Sequence, residues 1–438
     1  MKPETQGLKH ALVVGIVCAM LAGLAVGAGL ILGWRLDGAS RVSGPPSAPE
    51  PDPTFQARLP YVARNSPMPT PTWTPTSTPT PAPTATPEPS PTPTPVPSPD
   101  VTLIRGPYLQ SVTTSTIIVV WETDLPSHGE VAYGETEEYG LSVADPAVDT
   151  RHAVTLTGLV PYTVYHYRVT SGGAPLSEDA TFRTAAGPDQ DTFTFVVFGD
   201  TRTRDRVHQT VVERIRALAP DFALHTGDLV AHGNSPSDWE TFFEIERELM
   251  ASVPLFPTLG NHEVNNPHYF DLFYLPGNER WYAFDYGNAR FVCLQVDGFV
   301  DFGPGSEQYT WLEETLAANT RPWLFVYFHV PPYSSLREGP KETEIQRTLV
   351  PLFKQYGVDV VFNGHHHNYQ RSMVDDVTYI VTGGGGAPIY EITREDDHLL
   401  AYKNAYHVVY VTIAGDTLTG VGMTPEGEEF DRFTLTLR

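Results

Sequence analysis

Five short stretches carry side chains suited to metal chemistry: Gly199-Asp200-Thr201-Arg202, Gly227-Asp228-Leu229, Gly260-Asn261-His262-Glu263, His329, and Gly364-His365-His366-His367. Oxygen and imidazole donors without thiolate suit Mn, Fe or Zn. A carboxylate shared between two ions about 3.5–4 Å apart can clamp a phosphoryl group. Taken singly, each stretch is commonplace. Gly-Asp is a frequent turn, Asp228 alone would cap a helix as readily as bind a metal, and three histidines suit a solvated loop. What points to a pair of metal ions is the ordered set, with each stretch placed after an apolar run.

Those runs alternate in type. Strands are expected at Phe193–Phe198, Phe222–His225, Leu255–Leu259, Arg290–Val296, Trp323–His329, Val358–Phe362 and Thr378–Thr382. Val207, Val211, Ile215 and Leu218 fall at helical spacing, and further helices are expected at Trp239–Leu249, Glu307–Ala318 and Thr343–Tyr356. Alternation of this kind implies an α/β domain over 190–438 with some antiparallel strands near its C-terminus. In open α/β sheets, sites form where strands end at their carboxyl edge. Donors from Asp200 to His367 can converge there despite their distance in sequence.

Composition narrows the function further. The 438 residues carry a net charge of −24, which excludes a general nucleic-acid-binding face. Residues 1–100 hold six basic and six acidic side chains, whereas 101–438 hold 22 basic and 46 acidic ones. An anionic substrate must therefore find a local positive site against an adverse field, and bound metal ions would make one. Two cysteines exclude a disulfide scaffold and a thiolate-rich zinc site. Cys18 and Cys293 lie far apart and are not expected to pair.

The first hundred residues read as a tether. Residues 1–10 would stay cytoplasmic, because Lys2 and Lys9 precede the apolar run. Ala11–Trp34 has no charged residue. At 24 residues it exceeds the roughly 20 needed to span a bilayer and reads as an uncleaved signal anchor. Residues 35–100 form a Pro/Thr-rich stalk in which 20 of the 41 prolines fall between Gly44 and Asp100. Proline fixes φ and lacks an N–H, so the stalk is an extended spacer. The expected location is membrane-anchored and extracytoplasmic, with membrane contact through this one helix. Oligomeric state is not legible in the sequence.

Residues 101–186 suggest a small β-sandwich. Ser115–Thr123 is β-branched and contains Trp121, and Thr163, Tyr165, Tyr167 and Val169 alternate with mostly polar residues. Leu159-Val160-Pro161-Tyr162-Thr163-Val164-Tyr165 resembles the tyrosine corner of fibronectin type III modules. Trp121 and Tyr165 read as core, and no chemistry is expected here.

Gly364-His365-His366-His367-Asn368-Tyr369-Gln370-Arg371-Ser372 is similar to the Gly-His-x-His-x-Tyr-Glu-Arg signature of purple acid phosphatases, a branch of the calcineurin-like metallophosphoesterases. Trp281–Asn288, Gln308-x-x-Trp311-Leu312, Val381–Gly384 and the sandwich opening Arg105-Gly106-Pro107-Tyr108-Leu109-Gln110 resemble that branch too. The resemblance covers 101–438. It implies an αββα-type sandwich catalytic domain preceded by an all-β fibronectin type III-like sandwich. It also implies ligand roles. Asp200, Asp228 and His367 would bind metal one, Asp228 would bridge, and Asn261, His329 and His365 would bind metal two. His262 would face the substrate.

Two positions depart from the pattern. The purple enzymes place a metal-binding Tyr three residues after the bridging Asp; here that residue is Ala231. Other members place a ligand His two residues after the first Asp; here it is Arg202, which stays charged and cannot bind a cation. Water or His232 would complete metal one, although His232 also suits an exposed loop. The protein is expected to be colourless, with a divalent first metal. Arg202 would either contact substrate phosphate or form a surface ion pair.

The implied function is metal-dependent phosphoester hydrolysis, as a phosphomonoesterase acting on a phosphate ester through two ions (Fe, Mn or Zn). The cations would polarise the phosphoryl oxygens and lower the pKa of a water for in-line attack. His262 would protonate the leaving group. A phosphodiesterase of the same superfamily and a non-catalytic cell-surface binding protein are the competing readings.

Overall fold

The computed structural model of the chain describes residues 101–336, 339–394 and 396–437. The expected cytoplasmic segment 1–10, anchor 11–34 and stalk 35–100 lie outside the described residues. Among the described residues, no helix is long and apolar enough to cross a membrane.

The first domain is all β: β1 (Leu103–Gln110), β2 (Thr116–Gly134), β3 (Leu141–Thr157), β4 (Val164–Ser171), β5 (Ala174–Pro175) and β6 (Ala180–Arg183). All pairings are antiparallel. The long β2 pairs with β1 along its first half and with β4 along its second, while β3 follows it throughout. Its register shifts between Glu122 and Ser127 and again between His128 and Glu130. Such bulges bend and twist a strand, so one ribbon serves both layers of the sandwich. Ile117, Val119 and Trp121 point inward and meet Tyr165, Tyr167 and Val169 from β4. The Tyr165 hydroxyl accepts the Val160 N–H at 3.0 Å, which ties the loop before β4 to the core.

The chain continues through β7 (Thr192–Phe198), α1 (Asp205–Leu218), β8 (Phe222–His225), α2 (Pro236–Met250), β9 (Leu255–Pro257) and the short α3 (Pro267–Leu272). Next come β10 (Tyr282–Tyr286), β11 (Ala289–Cys293), α4 (Glu307–Ala317), β12 (Trp323–Tyr327), α5 (Pro340–Thr348), α6 (Val350–Tyr356) and β13 (Val360–Asn363). It ends in β14 (Tyr369–Val374), β15 (Val377–Thr382), β16 (Leu399–Lys403), β17 (Val408–Ala414), β18 (Thr417–Met423) and β19 (Glu429–Thr436). The single helix expected over Thr343–Tyr356 is two helices meeting at Leu349. Pro351, in the first turn of α6, has no N–H to continue the α5 ladder.

Two sheets form the second domain, in the orders β19-β18-β17-β7-β8-β9 and β10-β11-β12-β13-β15-β14-β16. Within them β7-β8-β9 and β11-β12-β13-β15 run parallel. Aromatic rings fill the space between the sheets. Phe195 lies 5.2 Å from Phe222 and from Phe291, and Phe291 lies 4.8 Å from Phe325. The outer face of the second sheet buries Val292, Val326 and Val361 against Leu312, Leu316 and Phe353 of α4 and α6. Helices α1 and α2 pack together on the first sheet's side, where Phe242 of α2 sits edge-on to His225 of β8. The layering is αββα, preceded by the all-β sandwich.

The sandwich and this domain fall in one compact unit. Buried hydroxyls join them: Tyr108 donates to the Leu272 carbonyl at 2.6 Å and Tyr167 to that of Ala251 at 2.7 Å. Arg183 adds an ion pair to Asp221 at 2.8 Å. Parallel registry aligns the strand ends that matter for the site: Phe198 pairs with His225, and Tyr327 with Phe362. The loops that follow therefore leave from one edge of the two sheets.

Candidate metal centre

Asp200, Asp228, Asn261, His329 and His365 each come within a few residues of a strand's carboxyl end, after β7, β8, β9, β12 and β13 respectively. Three of them adopt left-handed backbone: Asp200 and Asp228 at φ 57° and His365 at φ 67°. Non-glycine residues seldom adopt that region, and such strain concentrates at functional sites. Each follows a glycine, and close packing demands it. A Cβ on Gly364 would lie 2.5 Å from Asp200 Oδ2.

Hydrogen bonds aim the imidazoles. His329 donates from Nδ1 to the Thr226 carbonyl at 2.8 Å, and His367 donates from Nδ1 to the Pro388 carbonyl at 2.9 Å. Both therefore present an Nε2 lone pair to the cluster, the arrangement that orients metal-binding histidines. His329 Nε2 lies 3.1 Å from Asn261 Oδ1 and 3.3 Å from Asp228 Oδ1. His365 Nδ1 lies 3.0 Å from Asn261 Oδ1 and 3.2 Å from His329 Nε2. Donors bound at about 2.0–2.2 Å to one ion would stand roughly 3.0–3.5 Å from one another. This four-donor set therefore fits a metal ion. On the other side, His367 Nε2 is 3.4 Å from Asp200 Oδ1, and Asp200, Asp228 and His329 all converge.

The electrostatics favour cations. Burial opposes charge on Asp228, but His329 and His262 beside it hold its carboxyl well below the usual range. Burial likewise opposes charge on His329, yet Asp228 and Asp200 outweigh it and raise the group to about 10. These carboxylates draw positive charge to Nε2, as a proton or as a metal ion that displaces one. Burial and then His329 lower His365 to about 4, keeping it in the neutral, ligating form.

His262 stands at the open side of the cluster, its side chain 30% exposed and Nε2 3.8 Å from Asp228 Oδ2. Its Nδ1–H donates to the Ala231 carbonyl at 2.6 Å, which fixes the ring and turns Nε2 toward the cluster. Arg202 is not a surface ion pair. Its Nε donates to Asp228 Oδ2 at 3.1 Å, and Nη2 reaches His367 Nε2 at 3.4 Å. His232 is on the surface, its side chain 74% exposed and paired with Asp238 at 3.1 Å. The Asp238 carboxylate, in the first turn of α2, accepts the His232 N–H and pairs with its ring, which turns His232 away from the donors.

Glu263 was not assigned a role from the sequence. It is fully buried and accepts N–H bonds from Asp228 at 3.0 Å, Val230 at 3.3 Å and Gly260 at 2.7 Å, clamping the two loops that carry Asp228 and Asn261. Burial and the Asp228 carboxylate raise it to about 8. Beyond its place as the fourth residue of Gly-Asn-His-Glu, the sequence carries no signal for this role. His366, between two candidate ligands, turns away and bonds Ser334 Oγ at 2.7 Å.

An αββα layering with these donors at its strand ends defines a metallophosphoesterase fold. Residues 193–369 match the calcineurin-like phosphoesterase family, and residues 106–184 match the purple acid phosphatase N-terminal domain. A probable purple acid phosphatase 20 of Arabidopsis thaliana is 31% identical over 50% of this chain and 54% of that protein. A purple acid phosphatase of Glycine max is 28% identical over 72% of this chain and 74% of that protein. A purple acid phosphatase from yellow lupin (Lupinus luteus) seeds superposes with a TM-score of 0.67 at 21% identity, covering 76% of this chain and 74% of that one. Over residues 106–184 and 193–369 the chain is thus similar to purple acid phosphatases and, more broadly, to calcineurin-like phosphoesterases. It spans about half the length of several curated relatives it matches, and some of these bear the name probable inactive purple acid phosphatase.

Proposed function

We propose that the chain is a metal-dependent phosphoester hydrolase, acting as a phosphomonoesterase with two ions drawn from Fe, Mn and Zn. The observation that carries this is the convergence of Asp200, Asp228, Asn261, His329, His365 and His367 in one cluster at the carboxyl ends of the strands. Metal ions held there would supply charge that polarises a phosphoryl group and activates water. Around that charge, the chain's own groups have separable tasks. The Thr226 and Pro388 carbonyls orient His329 and His367. The Arg202 guanidinium, two N–H groups of which face the cluster, hydrogen-bonds a phosphoryl oxygen of the substrate. His262, its Nδ1 already committed to Ala231, carries a proton on Nε2 to the departing alkoxide.

The test is hydrolysis by the purified full chain of a phosphate monoester and of a bis-substituted ester, before and after chelation and metal return. Metal-dependent cleavage favouring the monoester, lost in Asp228→Ala, is expected. Preference for the diester would favour the phosphodiesterase reading. A folded, metal-loaded chain that cleaves neither would refute hydrolysis and leave a binding protein, as the names of some relatives suggest. We also propose that Ala11–Trp34 anchors the chain and the Pro/Thr-rich stalk holds it outside the membrane. Protection of the catalytic domain from protease added to intact cells would refute that.

A further inference from the structure

The two ends of the cluster are not equivalent. At the end formed by Asn261, His329, His365 and Asp228 Oδ1 the candidate donors face one another, and among the described residues no guanidinium or ammonium group stands between them. The other end, formed by Asp200, His367 and Asp228 Oδ2, already holds a fixed cation. Arg202 Nε donates to Asp228 Oδ2 at 3.1 Å, and Nη2 lies 3.4 Å from His367 Nε2. Since His367 donates its Nδ1 proton to Pro388, Nε2 is an acceptor, and the guanidinium engages the same lone pair an ion would need.

Burial supports this placement. The Arg202 side chain is 17% exposed, and among the described residues its other hydrogen-bond partner is Thr203 Oγ1 at 3.4 Å. Beside it lies a cavity of about 180 Å³ lined by Arg202, Thr201, His208, Ala231, Asp238 and Phe242. Arg202 and the small Ala231 both line this space, which lies open beside the guanidinium.

We propose that Arg202 is a built-in competitor for the first metal. The chain holds one ion tightly at the Asn261–His329–His365 end and admits a second only by displacing the guanidinium. With one ion bound, Arg202 supplies the second positive charge. This rests on the reading of the cluster as a metal centre, but not on turnover.

The test is metal binding. The full chain, stripped and then titrated with Zn²⁺ against a chromophoric chelator, should bind one ion tightly and a second far more weakly. Arg202→Ala, and Arg202→Gln in case the cavity it leaves is not tolerated, should tighten the second ion by about 10–100-fold, the scale on which groups bonded to metal ligands tune affinity. Two ions of equal affinity in the wild type would overturn the proposal. So would a second site unchanged in both variants, because the lost Tyr position at Ala231 would then explain the weakness alone. Unequal loading without ester hydrolysis would sink the hydrolase reading and leave this one standing, and hydrolysis with two equal ions would do the reverse.

Discussion

Gly227→Ala should damage the metal centre without touching a ligand. Gly227 has φ +92°, and a Cβ there would lie 2.8 Å from His329 Nδ1 and 2.9 Å from the Gly260 nitrogen. Two costs follow. An alanine held in left-handed backbone costs about 1–2 kcal/mol. Relief of the clash must also move His329 off its 2.8 Å bond to Thr226, or push back the loop that carries Asn261. Disturbing a group that orients a ligand typically weakens metal affinity about 10–100-fold, or roughly 1.4–2.7 kcal/mol. Gly305→Ala separates the two costs, since Gly305 has φ +90° and nothing within 4 Å of its would-be Cβ. Thermal unfolding in excess chelator reads the backbone cost, expected in both variants. Chelator competition reads the metal cost, expected in Gly227→Ala only. If Gly227→Ala bound Zn²⁺ as tightly as Gly305→Ala, the claim that the Thr226–Gly227–Asp228 turn positions His329 would be wrong.

The remaining predictions concern other parts of the frame. His262→Ala should lower kcat/KM by about 10²–10⁴ for alkyl phosphates and far less for nitrophenyl phosphate, whose leaving group needs no proton; equal losses would exclude a proton-donor role. Asp431 receives two bonds from Arg371, at 2.7 and 3.0 Å, and one from the Tyr369 hydroxyl at 2.6 Å. Burial opposes its charge, but Arg371 and Tyr369 outweigh this and hold its pKa below the ordinary value of 3.8. The stability it lends is therefore present above about pH 4 and lost as pH falls through the lowered folded value. Asp431→Asn should cost about 1.5–3 kcal/mol at neutral pH, and that gap should close in acid; a constant gap would count against the linkage. Burial pushes the Cys293 thiol up to about 12. In the native chain it should resist alkylation at pH 8 and react only on unfolding, as peptide mapping would read.

How much could be read in advance depended on where the information lay. The strand–helix alternation was legible because buried parallel strands such as Phe193–Phe198 and Trp323–Tyr327 are continuous apolar runs. The ligand stretches were legible because strand ends place polar residues directly after those runs. The break at Leu349 was hidden because the helical apolar spacing continues across Pro351, and proline at a helix's first turn is compatible with helix on one side and fatal on the other. Glu263 was hidden for another reason. Its role is to accept three backbone N–H groups from two loops, and backbone partners leave no mark in the pattern of side chains. His232 adjoined the right motif, but one residue of displacement in a loop is enough to turn a side chain to solvent.

Arg202 belongs to a third category, in which the residue was visible and its target was not. As a long cation in a chain of net charge −24 it had many acidic partners to choose from. Its actual partner follows from the charge of the site itself. Asp200 and Asp228 are both essentially buried, and uncompensated buried carboxylates are costly. His329 and Arg202 are the positive groups within reach of them. A divalent ion at the Asn261 end takes over the role of the His329 proton, and Arg202 can then remain where it is. The two carboxylates, the guanidinium and that one ion leave the cluster with net positive charge, whereas without the ion the guanidinium and the His329 proton only balance the carboxylates. Beyond roughly 8 Å the acidic surface is screened at physiological salt, so a phosphate ester meets attraction only at the centre, and only once at least one ion is bound.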